Sequence, residues 1–204
     1  MKKTLFSMLT LVLGLVLSGS DCSGPDPIVD PGTTDAGVKI GDVTWATRNV
    51  GAFRKFAAKP EDVGMYYQWN RPKAWSATGP FTGWNTTPEG GSVWAPANDP
   101  CPAGWKVPTW EQVQSLFTAA KTIDTSNGVI GAYFGTAPDR IFLPATGYLV
   151  NTGLAMTHFG YYYSSTSADA LGAYGFEFST SSNVIAHGAG YTKACGQPVR
   201  CVKK

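Results

Sequence analysis

Two groups of residues carry the chemistry this sequence can offer. The first is aromatic and amide-rich. Trp75, Trp84 and Trp94 share one polar stretch with Asn85, Glu89, Asn98 and Asp99. Indole faces stack on the C–H faces of sugars while amides and carboxylates fix hydroxyls, so Trp75, Trp84, Asn85, Trp94 and Asp99 are candidate binding residues. The alternative is that these tryptophans turn inward and build a satellite core under their own loop. The second group is sulfur. The chain has four cysteines, Cys22, Cys101, Cys195 and Cys201. A Cys101–Cys201 bond would close a loop of about 100 residues, for which the chain-entropy model gives roughly 4–5 kcal/mol; a Cys195–Cys201 bond closes far less and gains less. Cys195 lies in YTKACGQPV, where the Lys193 ammonium is expected to lower its thiol pKa slightly. Metal and cofactor chemistry find no support. There is no C-x-x-C, and His158 and His187 are remote in sequence from any cysteine pair. Ser164 and Ser165 lack the nucleophile elbow of a hydrolase.

These groups must be positioned by a chain of 204 residues, of which 15% are charged, 13% aromatic, 24 glycine and 14 proline. That mix suits strands and turns better than helix bundles. The net charge is +2, and beyond residue 20 the basic residues cluster only at Lys203-Lys204, so nucleic-acid binding by phosphate neutralisation has little support. At the N-terminus, Lys2 and Lys3 precede the apolar run Leu5 to Leu17 and the small residues Ser18-Gly19-Ser20, the layout of a secretory signal peptide over residues 1–20. Cys22 stands where a bacterial lipoprotein carries its acylated cysteine. Asp21 and Gly19 depart from the usual lipobox, and cleavage after Ser20 is the alternative. Residues 21–37, rich in Pro, Gly, Asp and Thr, read as a disordered tether. The expected location is the outer membrane or cell surface, reached only through an N-terminal lipid; a periplasmic or secreted protein is the alternative.

Residues 38–204 read as one domain. VKIGDVTWATRNV (38–50) predicts a hairpin turning at Gly41-Asp42, and GMYYQWN (64–70) a strand. Residues 71–100 have no period and read as one long loop. Thr109 and Gln112 form a capping box behind Pro108, and Trp110, Val113, Leu116, Phe117 and Ala120 make one apolar stripe, predicting a helix over 109–120. IFLPATGY (141–148), GYYYSSTS (160–167), AYGFEFSTS (173–181) and VRCV (199–202) predict strands.

VKIGDVTWATRNV, GMYYQWN, CPAGWKVPTWEQVQSL, LPATGY, YYYSST and VRCVK, in that order, resemble the "major paralogous domain" family first named from Fibrobacter succinogenes. Its members are exported proteins, mostly lipoproteins, common in Bacteroidetes. VPTWEQV is also similar to a stretch of formylglycine-generating-enzyme-like domains. The resemblance implies an α+β, C-type-lectin-like fold: small twisted antiparallel sheets, one clear helix and long irregular loops. It also implies a cysteine pair at Cys101 and Cys201. Cys195 and the weak lipobox depart from the family pattern. The function implied is a non-catalytic cell-surface module recognising a glycan or a surface protein. The alternatives are a structural or pilus-associated subunit and, less compatibly, an enzyme of the formylglycine-generating class, whose chemistry needs a reactive cysteine pair and a metal. Calcium-dependent lectins carry Gln-Pro-Asp or a relative of it; here Val199 follows Gln197-Pro198, and acidic ligands for calcium are sparse.

Overall fold

Short apolar alternations separated by frequent turn formers build a protein of many small strands. A computed structural model describes residues 30–182 and 185–204; the expected signal peptide, Cys22 and the tether as far as residue 29 lie outside the described residues. In chain order the strands are β1 (Val38–Ile40), β2 (Val43–Ala52), β3 (Lys55–Phe56), β4 (Tyr66–Gln68), β5 (Ala74–Trp75), β6 (Trp105–Lys106), β7 (Lys121–Ser126) and β8 (Val129–Thr136). They continue as β9 (Asp139–Pro144), β10 (Tyr148–Val150), β11 (Gly153–Ala155), β12 (Phe159–Ser167), β13 (Gly172–Ser179), β14 (Ile185–Thr192), β15 (Gly196–Pro198) and β16 (Arg200–Lys203). The helix α1 (Trp110–Val113) is a single turn. The class is α+β and mostly β.

Among the described residues the strands form four antiparallel sheets, ordered β1-β2-β16-β6 with β3 beside β2, β11-β10-β15-β4-β5, β12-β13-β14 and β7-β8-β9. The final strand β16 sits between the early strands β2 and β6, so the beginning and end of the domain share one sheet. Cys101 and Cys201 are bonded there, with Cα atoms 6.0 Å apart across a separation of 100 residues. Such a bond belongs to an oxidising, exported environment. Among the described residues no helix is long and apolar enough to cross a membrane.

The helix is shorter than the expected 109–120. Its start is as read: Thr109 accepts from the Gln112 amide at 3.3 Å, and the Gln112 side chain accepts from the Thr109 amide at 3.0 Å. After Val113 the chain tightens into a 3-10 turn, Gln114–Leu116, where Ser115 donates its hydroxyl to the Gln112 carbonyl at 2.8 Å. By then Val113 and Leu116 are already buried. The chain must be extended again at Lys121, which pairs with Phe134 at the base of the β7–β8 hairpin. Sheet pairing thus overrides the helical period. That hairpin turns on Asn127-Gly128, both at positive φ, as a two-residue primed turn requires.

Residues 30–37, placed in the tether by sequence, are docked on the first sheet. The Asp35 carboxylate accepts from the Thr47 amide at 3.0 Å, the Thr47 hydroxyl at 2.8 Å and Arg48 Nε at 3.2 Å. Arg48 also holds the Pro31, Thr34 and Ala57 carbonyls. Two ion pairs, Arg48–Asp35 and the more exposed Lys55–Asp30 at 2.7 Å, and a ladder of local acceptors order a segment too polar to bury itself.

Among the described residues three apolar clusters fill the interior, the smallest of them Tyr66, Trp75 and Leu149, and two are large. One joins Trp69, Trp94, Trp105, Tyr163, Val199 and the disulfide; the other joins Trp45, Val113, Leu116, Phe134, Phe176 and Phe178. A buried polar group contacts several of these strands. Arg200, 2% exposed, donates to Asn49 at 2.8 Å and to the Ala46 and Phe142 carbonyls at 3.1 and 2.9 Å. Burial lowers its pKa to about 10. Among the described residues no carboxylate pairs with it; its donors are satisfied by an amide and two carbonyls, which is what a buried charge needs to be tolerated. Tyr162 extends the group by donating to the Pro144 carbonyl at 3.0 Å.

Candidate functional site

The tryptophan loop is the first place to look, and it proves to be largely core. Trp75 is 3% exposed and Trp94 5%. Trp75 packs against Trp84 with ring centres 5.0 Å apart, and Trp84 meets Phe81 edge-on at 6.1 Å. Trp84 also lies across Gly196, where a Cβ would come within 3.2 Å of its ring. Trp94 sits elsewhere, against Trp69 and Tyr163, with its indole N–H donated to the Asn98 carbonyl at 3.0 Å. Burial therefore removes Trp75 and Trp94 as stacking faces, and only Trp84, half-buried, keeps part of its ring in reach of solvent. The loop splits its rings between two clusters and does not bring the expected residues together.

The polar candidates are likewise engaged. The Asn85 side-chain oxygen accepts from the Thr87 amide at 2.8 Å, closing a turn. The Asp99 carboxylate spans the cysteine loop, accepting from the Cys101 amide at 2.9 Å and the Val107 amide at 3.2 Å. Burial raises its pKa, against the pull of those two amides and of Lys204 and Arg54. Asp99 and Trp94 do line a common cleft of about 530 Å³ with Cys101, Trp105, Arg54 and Lys204. Its one carboxylate is occupied in holding the loop, and its rim is basic.

A second cleft, of about 270 Å³, lies at the junction of two sheets. Tyr148 comes from β10, Tyr161 from β12, Glu177 from β13, Tyr191 and Thr192 from β14, and Gln197 from β15, with Cys195 beside them. Tyr161 and Glu177 face each other directly across the β12–β13 ladder. Gly175, two residues away on the same face, makes room for Tyr191; a Cβ there would lie 2.7 Å from the Tyr162 carbonyl and 3.2 Å from the Tyr191 ring. The rings meet at steep angles: 89° between Tyr148 and Tyr161 at 5.1 Å, and 72° between Tyr161 and Tyr191 at 6.2 Å. Burial, then the Glu177 charge, pushes the Tyr161 and Tyr191 hydroxyls well above the ordinary phenol range.

Gln197, 2% exposed, has a side-chain oxygen with no hydrogen-bond partner, as has the hydroxyl of Tyr67 opposite it on β4. Unpaired buried polar atoms are rare in folded proteins, and the Gln197 oxygen belongs to a residue that lines the cleft. The Cys195 thiol is pushed up by burial, contrary to the expectation from Lys193. Lys193 turns away, donating to the Asp169 carbonyl at 2.8 Å and lying 4.4 Å over the Trp69 ring. Tyr163 donates to the Thr192 and Cys195 carbonyls and so fixes the rim of the cleft.

None of Tyr148, Tyr161, Glu177, Tyr191 or Gln197 stands out in the sequence as a site. They lie on five strands, and only the cross-strand register unites them. Set against family models, curated proteins and solved structures, the chain finds no match in any of the three.

Proposed function

We propose that this chain is a non-catalytic surface module that recognises a glycan or a surface protein in the tyrosine-walled cleft. The observation that carries the reading is the convergence of Tyr148, Tyr161 and Tyr191 with Glu177 and the unpartnered Gln197 oxygen at one concave place. A few polar groups set among apolar walls is the usual composition of a binding site. Membership of the major paralogous domain family, and with it delivery to the outer membrane through Cys22, belongs to the same proposal. Its support is the motif order and the Cys101–Cys201 bond. That bond leaves Cys195 as the one free thiol among the described residues, short of the reactive pair that formylglycine chemistry needs. Arrays of glycans and of surface proteins probed with wild type and with Tyr191→Ala test the reading. A ligand bound by wild type and lost by the variant is expected; ligands held equally by both would overturn it.

A further inference from the structure

Resting on that assignment of the cleft, we infer that its ligand presents a positively charged nitrogen, a lysine-type or methylated ammonium, to the three tyrosines. The walls are the first reason. A sugar stacks on an open, flat aromatic face, whereas these rings stand at 89° and 72° to one another and make a corner. The ring surface that this edge-to-face packing leaves bordering the cleft attracts a cation through the aromatic quadrupole, and the attraction grows as the site is desolvated. Charge is the second reason. Glu177 is the one acidic side chain lining the cleft and no Lys or Arg lines it. Among the described residues Glu177 has no ion-pair partner. The nearest lysine in sequence, Lys193, sends its ammonium to Trp69 and Asp169 instead. The third reason is the polar inventory. Beyond Glu177 and the three phenol hydroxyls, of which that of Tyr161 hydrogen-bonds Glu177, the cleft offers Thr192, Cys195 and the amide of Gln197, enough to orient one cationic head. Gly190, at φ +117 and with open space where a side chain would be, leaves one flank of the corner free for the rest of the ligand. The larger cleft argues by contrast: Arg54, Lys106 and Lys204 line it and would repel the same group.

Calorimetric titration of the full chain with choline chloride, beside its neutral isostere 3,3-dimethylbutan-1-ol at matched ionic strength, tests this. Choline is expected to bind about tenfold more tightly than the isostere, and Glu177→Gln to weaken choline by about tenfold. Tyr191→Leu serves as the second variant should Glu177→Gln melt early; it should reduce the preference for charge. Equal affinity for the two compounds, or no binding of choline, overturns the inference. Competition separates this failure from that of the proposed function. A ligand from the arrays that needs Tyr191 but is not displaced by choline leaves the cleft standing and sinks the cationic head. A ligand indifferent to Tyr191→Ala sinks the cleft itself.

Discussion

The tryptophans of the 71–100 loop and the tyrosines of the sheet junction are both aromatic clusters among polar neighbours, yet they do opposite work. In the loop, the Trp94 N–H, the Asn85 oxygen and the Asp99 carboxylate all have protein partners. The Trp75 N–H is the exception, buried without a partner. Trp75 and Trp94 stabilise by removing area from water, each held by a second ring. At the junction, among the described residues, Glu177 lacks an ionic partner and the Gln197 oxygen has no hydrogen-bond partner, and the rings meet edge to face beside a cavity. A large aromatic residue in a loop is therefore a poor guide to a site. An acidic side chain without an ionic partner, set among aromatic walls at a concave place, is a better one.

The strongest way to break the comparison is at the covalent tie beneath the loop. Replacing Cys101 and Cys201 together by serine should cost about 4–5 kcal/mol in denaturant unfolding if the closed 100-residue loop acts through chain entropy. A loss well under half of that would mean that Asp99 and the β16 pairing already hold the loop. Next comes the loop core. Trp75→Ala should cost about 3–5 kcal/mol, as for other buried aromatic truncations, while a folded sample keeps its ligand. Gly175→Val is expected to cost about 1–3 kcal/mol by overpacking against the Tyr162 carbonyl, and to weaken ligand binding by displacing Tyr191. Loss of stability with unchanged binding would detach Tyr191 from the site.

The smallest effect concerns Asp99. Burial raises its pKa above the model-peptide value of 3.8, so in the window just above that value the folded state binds more protons than the unfolded. Its contribution therefore becomes more favourable as pH falls from neutrality toward 3.8 and less favourable as pH rises. Relative to Asp99→Asn, wild type should gain unfolding free energy as the pH falls across that range. The opposite slope would mean that the two amides outweigh burial.

The fold was legible wherever a local signal coincided with a tertiary one. The Gly41-Asp42 hairpin, the strand at 66–68, the capping box at Thr109 and the strands around 160–167 and 173–179 lie where the alternation places them. The helix ran long in the reading because a 3.6-residue stripe continues through Ala120, and nothing local says that Lys121 must pair with Phe134. Asn127-Gly128 offered a turn signal for the β7–β8 hairpin that went unread. The cleft was not legible. Its residues are spread from Tyr148 to Gln197, and β13–β14 pairing with a bulge near Ala173 decides which tyrosine faces which. Gly175 acts only through the side chain it lacks.

The most direct measurement is NMR on full chain carrying labelled tyrosine rings and tryptophan indoles, titrated with an array ligand or with choline. The account predicts that Tyr148, Tyr161 and Tyr191 signals shift with saturation while those of Trp75, Trp84 and Trp94 stay in place. Shifts confined to the indoles, with the tyrosines silent, would contradict it.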